Sequence, residues 1–284
     1  MRLRCAGVLT LLCALVVTSP AQDPRQKAWS VLDEGLADSS ADKRTKAVLN
    51  LGLLPDNAKA VDAAVTALKD DKSEVRAAAA QALGEMSANS AKPQLRDALQ
   101  DDEPAVVLAA SHALLTLGDK SGYDAFYGVL TGQQKAGRSL IDQQKKVLTD
   151  PKKLAGIGLQ TGLGFVPFGG VGWWALKTLT KDDAAPVVAA AALTLADDPD
   201  PESGKALAKA ALADKKWLVR AAAYQALAKR GDPSLKGTAV LGLQDEHEEV
   251  QFAAAAAVIR LSDIESSSKR KHKPVRRHTA PRHE

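Results

Sequence analysis

Few residues of this 284-residue chain are suited to chemistry, and their spacing does not assemble a reaction. Two His–Glu pairs stand out, His247-Glu248 and His283-Glu284. An imidazole beside a carboxylate can ligate a metal, but a two-metal centre draws several such ligands from different helices. One pair in the body and one in the tail do not supply that set. His247 also sits in the acidic stretch Asp245 to Glu249, where a solvated helix start accounts for it. His272, His278 and His283 show no regular metal spacing. Both cysteines, Cys5 and Cys13, lie in the apolar amino-terminal run. No Ser-His-Asp, Cys-His or paired-carboxylate arrangement is present, so no catalytic residue, cofactor site or metal site is expected.

Contact residues are easier to find. From Leu154 to Leu176 there is no charge, and this run holds Phe165, Phe168, Trp173 and Trp174. Lys152, Lys153, Lys177 and Lys181 lie outside it, the flanking expected of a segment at a membrane–water interface. Trp217 precedes a helical phrase, where it either anchors a partner or packs over the preceding turn. At the carboxy terminus, Lys269, Arg270, Lys271, Lys273, Arg276 and Arg277 form a candidate contact for a polyanion or an anionic surface. The glycines of the uncharged run are not a phosphate loop, because no strand precedes them and no Gly-Lys-Ser/Thr follows.

The elements that must carry these residues are set by a repeated phrase. Its clearest copy runs from Asp71 through Val75-Arg76 and the alanines 77–80 to Leu83-Gly84. Equivalent positions recur at Lys43, Val75, Val106, Val187, Val219 and Val250, which are 32, 31, 81, 32 and 31 residues apart. Each copy reads as a helix. It opens on an acidic residue (Asp71, Asp102, Asp183, Glu246), expected to cap free N–H groups or complement the dipole. Alanine runs then give high helix propensity and a thin face for close packing. Second helices are expected over Ala60 to Leu68, Gln94 to Leu99, Tyr123 to Leu130, Ala206 to Leu212 and Gly237 to Leu243. No strand alternation competes. A helix pair of this size cannot bury its apolar stripe alone, so neighbouring pairs must stack.

The phrase Asp-x-x-x-Val-Arg-x-x-Ala-Ala-x-Ala-Leu-Gly, at Asp71 to Gly84 and again from Trp217 to Leu227, resembles the short HEAT repeats of the phycobilisome-lyase type. The resemblance covers about residues 38 to 130 and 182 to 263. It implies an all-α, right-handed α–α superhelix of about five and a half units, a HEAT- or armadillo-like solenoid that most often binds proteins. The family also implies an alternative, a lyase or hydroxylase-like enzyme, or a subunit of one, binding a ligand beside the insertion. Deoxyhypusine hydroxylase has similar repeats but places several His-Glu pairs on successive helices to hold two irons. Here only His247-Glu248 lies within the repeats.

The interval of 81 residues marks an interruption over residues 131–181. Within the uncharged run, seven glycines and Pro167 favour a helical hairpin bent at Phe165 to Gly170 over one continuous helix. Four placements stay open: packed on the solenoid, inserted in a membrane surface, spanning a bilayer, or clipped to a partner. Ahead of the repeats, Asp23-Pro24 followed by Ala28, Val31, Leu32 and Leu36 suggests a helix capping one open end.

The amino terminus runs Met1 to Arg4, then apolar from Cys5 to Val17, then small residues to Ala21. That is the order of a secretory signal cleaved after Ala21, with a retained anchor as the alternative. The expected organisation is therefore signal 1–21, cap helix and three repeats 22–130, insertion 131–181, repeats 182–263, and a disordered basic tail 264–284. Removing the seven basic residues of the tail and Arg2 and Arg4 from 38, and Glu284 from 34 acidic, leaves 29 and 33. A mildly acidic repeat body argues against specific nucleic-acid binding. The expectation is a non-enzymatic protein-binding scaffold, periplasmic or extracellular, with a membrane surface and a polyanion as further contacts.

Overall fold

The computed structural model describes residues 23–123 and 185–271. The expected signal, the insertion 131–181 with Phe165, Phe168, Trp173 and Trp174, and tail residues Lys273, Arg276 and Arg277 lie outside them. All regular elements among the described residues are helical. The amino-terminal block holds α1 (Pro24–Leu36), α2 (Ala41–Leu51), α3 (Ala58–Ala67), α4 (Ser73–Glu85), α5 (Lys92–Asp97) and α6 (Pro104–Thr116). The carboxy-terminal block holds α7 (Ala185–Thr194), α8 (Pro201–Ala213), α9 (Trp217–Arg230), α10 (Lys236–Leu241) and α11 (Glu248–Lys271). Short 3-10 turns extend α5 over Ala98–Gln100 and α10 over Gly242–Gln244.

The repeated phrase supplies the first helix of each unit. In one block α2, α4 and α6 stack in order, and in the other α7, α9 and α11 do the same. Second helices bridge the steps: α3 packs on α2 and α4, α5 on α6, α8 on α9, and α10 on α11. Alanines make the stacking close, with Ala78, Ala79, Ala80 and Ala82 of α4 and Ala221, Ala222 and Ala223 of α9 all buried. Gly231 ends α9 in the left-handed region (φ 71°), its N–H donating to the Leu227 carbonyl, a conformation that costs glycine nothing.

The end-cap expectation for α1 is corrected by the packing. α1 lies between α11 and α2, the place that α3 holds between α2 and α4. It is the missing second helix of the last unit, contributed from the opposite end of the chain. Its buried stripe Ala28, Trp29, Leu32 and Gly35 follows helical spacing, with Asp23 as N-cap and Pro24 in the first turn. The array therefore runs α7, α9, α11, α2, α4, α6 in space, continuous across the two chain ends. The third and fourth sequence units are its opposite ends, not neighbours. Residues 124–184 join those ends.

This order explains α11. A terminal solenoid helix needs a polar outer face, yet Phe252, Val258, Ile259 and all five alanines from Ala253 to Ala257 are buried. A helix apolar all round belongs inside, and α11 sits at the centre of the array, covered by α1, α9, α10 and α2. It also runs on to Lys271, past the expected onset of disorder at residue 264. The extension is held where Glu265 pairs with Lys236 and Lys269.

Candidate interaction surface

The Arg of the phrase ties successive units together. Arg44 binds the Asp70 carboxylate through Nε and Nη2 at 2.8 and 2.7 Å, and its Nη1 donates to the Asp38 carbonyl at 2.9 Å. Arg76 repeats this with Asp101 (2.7 and 2.8 Å) and the Asp70 carbonyl (2.9 Å). Arg220 repeats it with Asp245 (2.7 and 2.8 Å) and the Asp214 carbonyl (3.0 Å). Each guanidinium thus ties its own helix start to the start of the next first helix. Two parallel N–H···O bonds fix the angle as well as the distance.

Three of the expected caps, Asp71, Asp102 and Glu246, miss by one residue, and Asp183 lies outside the described residues. The N-cap positions of α4, α6 and α9 are Lys72, Glu103 and Lys216, none with a side-chain cap bond. Instead Asp70, Asp101, Asp214 and Asp245 each accept the N–H two residues on, at 2.8 to 3.0 Å. The Arg44 guanidinium holds the Asp70 carboxyl down at about 2. Burial pushes Asp101 and Asp245 up, and hydrogen bonds from their arginines and from the N–H two residues on together more than reverse it, leaving both below the usual carboxylate range.

Trp217 and His247 meet on this edge. Trp217 begins α9, is half-buried, and stacks on the His247 ring with centroids 5.8 Å apart and planes 16° apart. His247 Nδ1 lies 3.4 Å from Arg220 Nη2, and Glu246 Oε1 lies 3.6 Å from both. The result is a flat aromatic plate with a charged rim, 37% of the His247 side chain remaining exposed. Among the described residues no group of three or more His, Cys, Asp or Glu is placed to hold a metal ion. No described helix is long and apolar enough to cross a membrane.

Of the basic candidates, Lys269 and Arg270 are exposed on the last turns of α11, where Lys269 pairs with Glu265 at 2.6 Å, and Lys271 is its last helical residue. They lie far along the helix from the Trp217–His247 plate, since 24 residues span about 36 Å. Apolar exposure in the carboxy-terminal block falls on Val187 and Val188 of α7, Leu212 of α8 and Leu241 of α10.

The seam joining α11 and α1 to α2 is a second charged cluster, which the sequence reading did not find. Phe252 packs into the hollow left by Gly35, where an added Cβ would lie 2.5 Å from the ring and 2.9 Å from the Ala47 Cβ. Lys46 meets Glu249 at 2.8 Å, Glu248 at 3.0 Å and its own-helix Asp42 at 2.7 Å. Burial alone would lower the Lys46 pKa, but hydrogen bonds to these three carboxylates hold it well above the ordinary lysine range. Asp263 accepts from Arg25 and from Asn57, both at 2.8 Å, and Arg260 donates to the Leu53 carbonyl at 2.9 Å. The signal available in sequence was the run Phe252 to Ile259, too apolar for an exposed terminal helix.

A family model described as HEAT repeats matches residues 30–115 and 174–259, more than half of the chain. The chain belongs to the HEAT-repeat family. No curated protein matches it. Among solved structures, this HEAT-repeat protein is similar to human deoxyhypusine hydroxylase in complex with glycerol, at 17% identity and a TM-score of 0.31, over 84% of this chain and 97% of that one. It is also similar to the CpcE–CpcF complex of phycocyanin lyase from a Nostoc species, at 20% identity and 0.34, over 91% and 99%. An engineered protein is similar at 16% identity and 0.28, over 84% and 97%. Scores this low carry no argument about activity.

Proposed function

We propose that this HEAT-repeat protein is a non-enzymatic scaffold that binds other proteins outside the cytoplasm, held at a membrane by its uncharged 154–176 run and its basic tail. The observation that supports the scaffold reading is the commitment of its charged side chains. Arg44, Arg76 and Arg220 are each locked to a carboxylate of the next unit, and the charges of the seam are locked to one another. Groups spent on holding an array in register leave its surface, not a cavity, to act. The Trp217–His247 plate is a stacked aromatic pair on that surface, and its rings keep little conformational freedom to lose on binding.

Export and membrane attachment rest on the amino-terminal pattern, the uncharged run and the seven basic residues near the carboxy terminus. The deciding experiment is affinity purification of the full chain from the exported fraction, beside Trp217→Ala. A stoichiometric protein partner lost with Trp217→Ala supports the reading. A tightly bound metal or chromophore at one per chain, seen by native mass spectrometry, reverses it. Mass measurement of the exported protein shows whether it begins at Gln22. Liposome flotation with and without residues 131–181 tests the attachment, and equal partitioning of both removes the insertion from it.

A further inference from the structure

The seam is a contact between two blocks that no short stretch of chain connects. Its hydrogen-bonded partners lie 202 to 238 residues apart in sequence. The covalent connection between the blocks, residues 124–184, joins α6 to α7 at opposite ends of the array. Six first helices at the roughly 10 Å spacing of packed helices make a path of about 50 Å along the array. These 61 residues reach about 200 Å when fully extended, so their length does not confine the seam to a single molecule.

In composition, too, the seam resembles a contact between subunits. The steps within each block are alanine and leucine packing, with one Arg–Asp pair at three of the four. The seam has an aromatic anchor, Phe252, seated in a hollow at Gly35 and Ala47, and a charged rim from Lys43, Lys46, Glu248, Glu249, Arg25 and Asp263. A buried anchor inside a polar rim is the usual anatomy of a protein–protein interface.

We propose that this seam also forms between two copies of the chain, each giving its amino-terminal block (residues 23–123) to the carboxy-terminal block of the other. The product is a closed two-fold dimer with two seams, each with the contacts of the monomer. Because those contacts are shared, the balance between monomer and dimer is set by chain concentration and by the length of the connection, with no new interface required.

The test uses the full chain with Cys5→Ser and Cys13→Ser. One version carries Lys43→Cys and another Glu248→Cys, at positions whose native charged ends lie 3.8 Å apart across the seam and whose side chains are about one third exposed. The two are refolded together and treated with a short bis-maleimide, and a chain carrying both changes reports the seam within one molecule. A mixed product of doubled mass, growing with protein concentration, is expected. Crosslinking in the double variant with no mixed product at any concentration overturns the proposal. Deleting residues 131–181 gives an independent reading. It leaves seven residues of 124–130 and three of 182–184, which reach about 36 Å, less than the path of about 50 Å along the array. The deletion variant is expected to double in mass by light scattering with its helicity kept. A folded monomer retaining the seam overturns the proposal, and if the variant does not fold, the crosslinking result stands alone.

Discussion

The steps inside the two blocks and the seam between them do the same geometrical job by different means. Within the blocks, three of the four steps join a first helix to the next through one arginine and an aspartate 25 or 26 residues on, Arg44–Asp70, Arg76–Asp101 and Arg220–Asp245, and at the fourth, α7 to α9, Val188 stands in the arginine's place. At the seam the phrase carries Gln251 in place of arginine, and this side chain holds only the Asp245 carbonyl, at 2.6 Å. Cohesion there passes to Phe252, Lys46 and Asp263, whose partners come from the other end of the chain. Local steps close short loops at little entropic cost, and one bidentate pair suffices to set them. A contact between remote segments must order far more chain before any contact forms, and it uses a large ring and several charges.

Mutations can break this comparison in a definite order. Phe252→Ala should have the largest effect, about 3–5 kcal/mol in urea unfolding, because it empties a core site facing Gly35. A loss below about 1 kcal/mol would mean that the seam is not a packed contact. Arg220→Ala should cost about 2 kcal/mol, since the pair is only 10% and 13% exposed and Asp245 is left without its partner. Arg76→Ala should match it, and a large difference between the two would end the equivalence of the local steps.

Acid should reach the local steps through their aspartates. Asp70 titrates from 3.8 when unfolded to about 2 when folded, so its contribution is complete above pH 4 and is lost as pH falls toward 2. Arg44→Ala should flatten that part of the stability–pH profile. Lys46→Gln should cost about 1 kcal/mol or less and should reduce the salt sensitivity of unfolding, since Glu248 and Glu249 lie on the far side of the seam. The exposed pair Lys205–Glu202 is the control, and Lys205→Ala should leave stability unchanged.

Much of the fold was legible in the residues. The phrase from Val75 to Leu83 located every first helix now observed, and four of the five second helices fell within a few residues of their expected spans, the fifth, Tyr123 to Leu130, lying almost wholly outside the described residues. The arginine ladder was half legible. Val-Arg recurs at 75–76 and 219–220, yet Asp71 and Glu246 were expected only as helix caps, and the residues that bind the arginines are Asp70, Asp101 and Asp245. The shift arises because the carboxylate must sit in the turn before the helix, where it accepts an N–H and faces the preceding unit at once. Trp217 was identified as a contact residue, but its partner His247 was read as a solvated helix start. A stacking partner 30 residues away leaves no local pattern.

By itself the sequence determined the helical repeats, their period and the alanine-rich faces, because helix propensity and the burial of a stripe are properties of neighbouring residues. The tertiary structure alone decided which unit follows which. α1 has an apolar stripe that fits any groove between two first helices, and only the fit of Gly35 to Phe252 and of Arg25 to Asp263 places it between α11 and α2. The order of the array is a property of residues 200 or more apart, whose complementarity appears only when both surfaces are formed.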